Sequence, residues 1–300
     1  MKRFDVHIHS RAGGEINPQK LLADMESVGL DGGGIFSQSP ESPIQPGTSY
    51  DDRMKCLESW MQGSTGRIFP ILWIHPNEHD AIDKVKDAVS KGVMGFKIIC
   101  DSFYVYDPQP MALIREIAKL GKPVLFHSGI LWGGRETSKY NRPVNWEALI
   151  TITNLKFSLA HCSWPWTDEC IAVYGKFLNA YVTNPDASAE MFLDCTPGTP
   201  AIFRKDLVTK LLMSGYDTPH NLLFGTDCTA NNYNTIWAKQ WIDRDEVIMK
   251  ELGAGQRLID HYMGENFLRF MGVKEKNFQH ITPVPDSADG WSLDYANRTL

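Results

Sequence analysis

The chain has 300 residues, 43% of them hydrophobic and 22% charged, with a formal net charge of -6 and a pI near 5.8. That is the composition of an ordinary globular protein with ample apolar surface to bury. The acidic balance, with no run of Lys and Arg interleaved with aromatics, argues against nucleic acid as a partner.

Short apolar runs bounded by Gly, Pro or Asn alternate with amphipathic stretches of helical length, the pattern of repeated βα units. The first strand is expected at residues 3–8. Its sequence, Phe4-Asp5-Val6-His7-Ile8-His9-Ser10, sets two histidines two residues apart and therefore on one face. Asn17 followed by Pro18 reads as an N-cap with Pro at the first helical position, and Leu21, Leu22, Met25 and Val28 continue a helical stripe. Further strands are expected at 33–37, 68–73, 94–98, 123–126, 156–159, 180–183 and 221–224, with helices at 80–91, 109–120, 145–153 and 205–214 between them. Gly29, Gly92, Gly121 and Gly215 stand where helices should stop.

Eight strands, each followed by a helical segment, predict an α/β chain folded as a closed (β/α)8 TIM barrel over residues 1–273, with a doubly wound open sheet as the alternative. Helices near 244–252, 256–263 and 265–271 follow the last strand. The Pro, Asp and Gly content of 281–290 predicts an irregular tail over 274–300, wrapping the barrel or meeting a second subunit in a homodimer. Cys56, Cys100, Cys162, Cys170, Cys195 and Cys228 form no Cys-x-x-Cys pair and read as free thiols of a reducing compartment. With no apolar leader after Met1 and no apolar stretch near the roughly 18 residues of a membrane span, a cytoplasmic protein without a membrane partner is expected.

In such a barrel catalytic groups belong at the C-terminal ends of strands. The polar residues falling there are His7 and His9, Lys97 of Gly95-Phe96-Lys97, His127 of Leu125-Phe126-His127-Ser128-Gly129, His161 of Leu159-Ala160-His161-Cys162, and Asp227 of Phe224-Gly225-Thr226-Asp227. Neutral imidazoles joined by a carboxylate suit zinc and other divalent transition metals, and three or four such ligands with an open position make a catalytic site. Asp5 is expected to orient backbone or a ligand from behind. His75 and His79 are expected to face solvent, with the barrel mouth as the alternative for His75, and Cys162 and Cys228 to pack.

From Phe4 to Met271 these residues resemble the amidohydrolase superfamily of metal-dependent barrel hydrolases. Gly95-Phe96-Lys97-Ile98 before Asp107-Pro108, then Lys122 through Gly129, and Gly264-Glu265-Asn266-Phe267-Leu268-Arg269-Phe270, are similar to its amidohydrolase-related branch, which also holds decarboxylases, hydratases and lactonases. The resemblance implies one divalent ion, Zn2+ or alternatively Mn2+, on His7, His9, His127 and Asp227, with His161 beside the open position. Asp227 and His161 would then be the catalytic pair. In the binuclear variant Lys97 is carbamylated and bridges two ions, with His127 and His161 both serving the second; in the mononuclear one its ammonium faces a substrate carboxylate or pairs within the barrel.

Arg135, Arg142, Trp164 and Tyr104, on the loops after strands five, six and four, are candidate contacts for a small-molecule substrate, although each also fits loop packing, surface charge or an interface. There is no Gly-x-Ser-x-Gly elbow, Walker loop or dinucleotide fingerprint. The expected activity is hydrolysis of a small anionic ester, lactone or amide by metal-activated water. The rivals are nonhydrolytic decarboxylation or hydration at the same site, and a barrel kept for binding alone.

Overall fold

The computed structural model describes residues 1–64 and 66–273, so the expected tail at 274–300 lies outside the described residues. In chain order the elements are β1 (Phe4–His9), α1 (Pro18–Ser27), β2 (Gly32–Phe36), α2 (Tyr50–Met61), β3 (Ile68–Trp73), α3 (Ala81–Ser90), β4 (Gly95–Ile98), α4 (Pro108–Lys119) and β5 (Val124–Phe126). They continue with β6 (Lys156–Leu159), α5 (Thr167–Thr183), β7 (Glu190–Asp194), α6 (Arg204–Met213), β8 (Leu222–Leu223), β9 (Cys228–Thr229), α7 (Thr235–Glu251), α8 (Gln256–Asp260) and α9 (Asn266–Phe270).

Each strand pairs in parallel with its neighbours in sequence, in the order β8-β7-β6-β5-β4-β3-β2-β1-β9. The two ends of that order are one interrupted strand: β8 pairs with β7 and β9 pairs with β1. Between them Val6 donates its N–H to the Phe224 carbonyl (2.9 Å), and Asp227 donates to that of His7 (3.1 Å). The sheet therefore closes into the eight-position barrel expected from the sequence.

The caps behave as their side chains dictate. Asn17 accepts from the Lys20 amide at 3.0 Å, with Pro18 opening α1. Gly29, Gly92, Gly121 and Gly215 all take positive φ just past helix ends. Inside the barrel Phe4, Phe69, Phe192, Phe267 and Phe270 form an aromatic floor, with Phe267 stacked on Phe4 at 5.3 Å and Phe270 against Phe192 at 4.9 Å. Thus α9 plugs the end of the barrel opposite the C-terminal ends of the strands, and the remaining apolar residues form the layer between strands and outer helices.

Four expectations are corrected. Residues 180–183 are the last turn of α5, not a strand, because Cys170, Ile171, Val173, Tyr174 and Phe177 form a buried helical stripe that carries the helix through to Thr183; the seventh strand is β7. Residues 145–153 are not an α-helix: a 3-10 segment over Pro143–Leu149 buries Trp146 and Leu149, three apart and hence eclipsed in that tighter geometry. The last long helix, α7, begins at Thr235 rather than near 244, where Asn234 accepts from the Trp237 amide (3.0 Å). Finally, the helix expected over 256–263 stops at Asp260 and passes into a π turn, His261–Glu265. Helix α2, capped by Ser49, was not anticipated from the sequence.

Candidate metal centre

Strict alternation along β1 would place Phe4, Val6 and Ile8 on one face. The register with β2 instead slips by one residue between Asp5 and Ile8, a bulge. Phe4 and Val6 then remain in the barrel interior, Ile8 joins the outer core, and His7 and His9 both turn toward Asp227. Re-aiming side chains is what a bulge does beside an active site. Asp5 holds the bulge in place. Its Oδ1 accepts from the His7 and Thr226 amides (both 3.0 Å), and its Oδ2 accepts from the hydroxyls of Thr226 (2.5 Å) and Tyr233 (2.9 Å). One buried carboxyl thus ties the backbone of the histidine pair to that of the Asp227 turn, as expected for a residue that orients backbone.

His7 Nε2 and His9 Nε2 lie 3.6 and 3.2 Å from Asp227 Oδ1, and ligand atoms of the three residues all fall within 4.8 Å of one another. His7 is 1% exposed and its Nδ1 is hydrogen-bonded to Asp194 Oδ2 at 2.9 Å. The carboxylate accepts the Nδ1 proton, which leaves the Nε2 lone pair directed at the cluster. Burial, reinforced by the nearby Lys97 ammonium, pushes the His7 pKa down to about 3, so the imidazole stays neutral. For Asp227 burial works the other way, but the His9 hydrogen bond and the surrounding histidine rings outweigh it and hold the carboxyl far below its ordinary range. A neutral His7 imidazole and an ionised Asp227 carboxylate are the protonation states a divalent ion requires.

His161 continues the row of rings, 5.3 Å from His7 and 5.2 Å from His127. Its Nδ1 meets the Thr196 carbonyl at 3.3 Å, leaving Nε2 as the acceptor nitrogen. His127 stands at the far end of the row, outside the three-residue cluster: its Nε2 faces the Ile130 carbonyl at 3.2 Å, which leaves Nδ1 to offer a lone pair. Burial lowers the pKa of both. Lys97, 1% exposed, has no hydrogen-bond partner for Nζ among the described residues, and sits 5.0 Å over the Phe36 ring. Burial brings its pKa down to about 8.

The backbone marks the same place. Of six non-glycine residues at positive φ among those described, four are His161, Cys162, Ser163 and Asp227. Each such conformation costs about 1–3 kcal/mol and persists where surrounding structure imposes it, most often at functional sites. Gly198 lies so close over His161 that a Cβ there would come 2.6 Å from the ring.

Three of the other expected substrate contacts have partners on neighbouring loops and the fourth is exposed. Arg142 is held by Glu169 (Nε to Oε2, 3.1 Å) and stacks 4.7 Å over Trp166. Tyr104 stacks on Tyr106 at 4.9 Å, and Trp164 lies 6.4 Å from both Trp132 and Phe203. Arg135 is exposed on its loop. Two clefts, of about 500 and 480 Å³, meet at Asp227, and none of these four residues lines either. His75, expected at the surface, is buried and bonded to Asp101 (3.1 Å), because the loop after β3 folds it against Phe103; His79 is exposed as expected. Cys162 and Cys228 are buried free thiols, as expected.

Asp194 was missed from the sequence because its strand was displaced to 180–183. The available signal was an acid at the end of an apolar run, Met191-Phe192-Leu193-Asp194, the same pattern that exposes Asp227.

A family model described as amidohydrolase matches residues 4–270. Solved structures with the same fold include an uncharacterised TIM-barrel protein from Bordetella bronchiseptica, 14% identical over 91% of this chain and 99% of that one, with a TM-score of 0.62. An amidohydrolase 2 from Bifidobacterium longum subsp. infantis is 13% identical over 91% and 100% of the two chains (TM-score 0.57), and a dihydroorotase from Campylobacter jejuni 13% identical over 92% and 85% (TM-score 0.57). No curated protein matches the sequence. Among the described residues no helix is long and apolar enough to cross a membrane.

Proposed function

The chain belongs to the amidohydrolase family, and from that membership we propose that it is a metal-dependent hydrolase of a small anionic ester, lactone or amide, working with one divalent ion, Zn2+ by preference. The observation that carries the reading is the convergence of His7 Nε2, His9 Nε2 and Asp227 Oδ1, with His7 fixed from behind by Asp194. That donor set fits zinc. His7, His9 and Asp227 would hold the ion, with His127 as the further ligand through Nδ1. A divalent ion so held supplies a water acidified to a pKa of about 7 and a Lewis acid for a carbonyl.

The side chains do the rest. Asp227, 37% exposed and ionised, faces the clefts, so its carboxylate can take the proton of the attacking water and return it to the leaving group. His161, with Nδ1–H engaged by the Thr196 carbonyl, presents Nε2 as an acceptor and so can orient the attacking water or a donor group of the substrate by accepting its hydrogen bond. Asp194 keeps the His7 tautomer correct throughout.

The test is to load the purified protein with zinc and offer lactone, ester, amide and aromatic-acid panels in ¹⁸O-water. Hydrolysis incorporates ¹⁸O into the acid product. Carbon dioxide release without incorporation would replace hydrolysis by decarboxylation, and full activity of zinc-free protein would refute the site.

A further inference from the structure

We propose that the cleft on the loop after β9 is the subsite for the leaving group of the substrate, that it takes an uncharged alcohol or amine with an apolar or aromatic body, and that Ile236 and Trp237 select it. This rests on the hydrolase reading above and specifies one half of its substrate.

The cleft of about 500 Å³ is lined by Asp227, Asn232, Tyr233 and Thr235, and by Ile236 and Trp237 in the first turn of α7. Asp227 is the one charged residue among those that line it. The others are thiol, hydroxyl, amide, indole and hydrocarbon groups, which carry no charge near pH 7. An anionic part of a substrate would find no cation there and would meet the Asp227 carboxylate, a like-charge contact. The uncharged part therefore belongs in this cleft. Ile236 is 72% exposed and Trp237 39% exposed. Two adjacent large apolar side chains left open to water beside the proton-transferring carboxylate are surface for a ligand to bury.

The wall of the cleft is fixed to that carboxylate. Trp237 donates its indole N–H to the carbonyl of Thr226, the residue before Asp227 (2.8 Å), and its ring meets Trp241 edge-on at 5.4 Å. Tyr233 donates its hydroxyl to Asp5 Oδ2 (2.9 Å), the oxygen that also receives the Thr226 hydroxyl. The Asp227 turn, at positive φ, and the cleft wall are thus one hydrogen-bonded unit. A leaving group lying against Ile236 and Trp237 keeps a set place relative to the carboxylate that protonates it. The cleft of about 480 Å³ shares only Asp227 and Thr229 with this one and includes His9. The two clefts accordingly offer separate places for the two halves of a substrate cleaved at Asp227.

The probes are two isomers that bind zinc through the same hydroxamate group: N-benzylacetohydroxamate, with its ring on the leaving-group side, and N-methyl-2-phenylacetohydroxamate, with its ring on the acyl side. N-(4-carboxybenzyl)acetohydroxamate adds a negative charge to the first. Each is titrated calorimetrically into zinc-loaded wild-type, Ile236→Ser and Trp237→Ala proteins. Burial of a single methylene is worth about fourfold in affinity. Wild type should therefore prefer the N-benzyl isomer by at least that factor, and the added carboxylate should abolish the preference. Both substitutions should weaken the N-benzyl isomer by the same factor or more and leave the acyl-side isomer within twofold. Because Ile236 is exposed, Ile236→Ser decides the question even where loss of the Trp237 hydrogen bond disturbs the Asp227 turn. Equal binding of the isomers by wild type, undiminished binding of the charged probe, or indifference to both substitutions overturns the subsite. Zinc uptake is measured on the same samples. Failure to bind zinc refutes the metal-site reading and the subsite with it, whereas zinc uptake with any of those three results refutes the leaving-group subsite alone.

Discussion

Replacing Asp194 by Asn changes one oxygen to an amide in a fully buried position, with almost no change of volume. The carboxylate meets two demands: Oδ2 accepts from His7 Nδ1 (2.9 Å) and Oδ1 from the Thr196 amide (2.8 Å). Asparagine has one acceptor oxygen. If that oxygen serves Thr196, the NH2 group faces His7, which must then carry its proton on Nε2 and lose the lone pair aimed at Asp227. If it serves His7, a buried backbone N–H is left facing an NH2 group. Losing such a partner behind a metal ligand typically costs 10- to 100-fold in metal affinity, or about 1.4–2.8 kcal/mol. The assay is zinc competition against a chromophoric chelator, with thermal unfolding of the metal-free protein run alongside. The expected outcome is a zinc affinity at least tenfold weaker in a protein that still unfolds cooperatively. An Asp194→Asn protein that binds zinc within threefold of wild type would refute the reasoning.

Asp227→Asn should lower kcat by about 10²–10⁴, the usual contribution of a positioned general base, with the circular dichroism spectrum retained; activity within tenfold of wild type would remove Asp227 from that role. Gly198→Ala should crowd His161, whose ring lies 2.6–2.7 Å from the new methyl position, costing about 1–3 kcal/mol of stability together with activity; unchanged thermal unfolding and turnover would show the contact to be slack. Stability of the metal-free protein should rise between pH 4 and 6.5. His7, His127 and His161 are kept neutral by burial but protonate in the unfolded chain below about 6.5, so acid favours unfolding. Asp5, raised by burial to about 7, pulls the opposite way, but it is one group against three. Urea midpoints that fall over this range would contradict the protonation states. Arg142→Ala should alter KM less than twofold, since it removes an exposed pair with Glu169 outside both clefts; a tenfold rise in KM would return Arg142 to the substrate site.

The strands that sequence reasoning located best, 68–73 and 156–159, are compact apolar runs with sharp polar boundaries, where period and composition agree. The seventh failed because two readings competed for Ala180-Tyr181-Val182-Thr183. These residues suit a strand locally, but the stripe from Cys170 to Phe177 makes them the end of a helix, while the true strand carries Glu190 and Asp194 at its ends and so resembles a loop. The convergence of the histidine pair and Asp227 was legible because all three are polar residues at the C-terminal ends of strands. What turns the pair toward Asp227 is a bulge, held in place by the Asp5 hydrogen-bond set, which joins residues more than 200 positions apart. No local period encodes such contacts. The loop arginines were less legible for a similar reason: that Arg142 pairs with Glu169 depends on a tertiary partner 27 positions away, which no local pattern encodes.

The most direct measurement is zinc-edge anomalous diffraction from crystals of the zinc-loaded protein. A single peak about 2.0–2.2 Å from His7 Nε2, His9 Nε2 and an Asp227 oxygen is predicted, at the distances usual for zinc with imidazole and carboxylate ligands. No peak at these residues, or two peaks bridged by a modified Lys97, would contradict a single ion held by the β1 pair and Asp227.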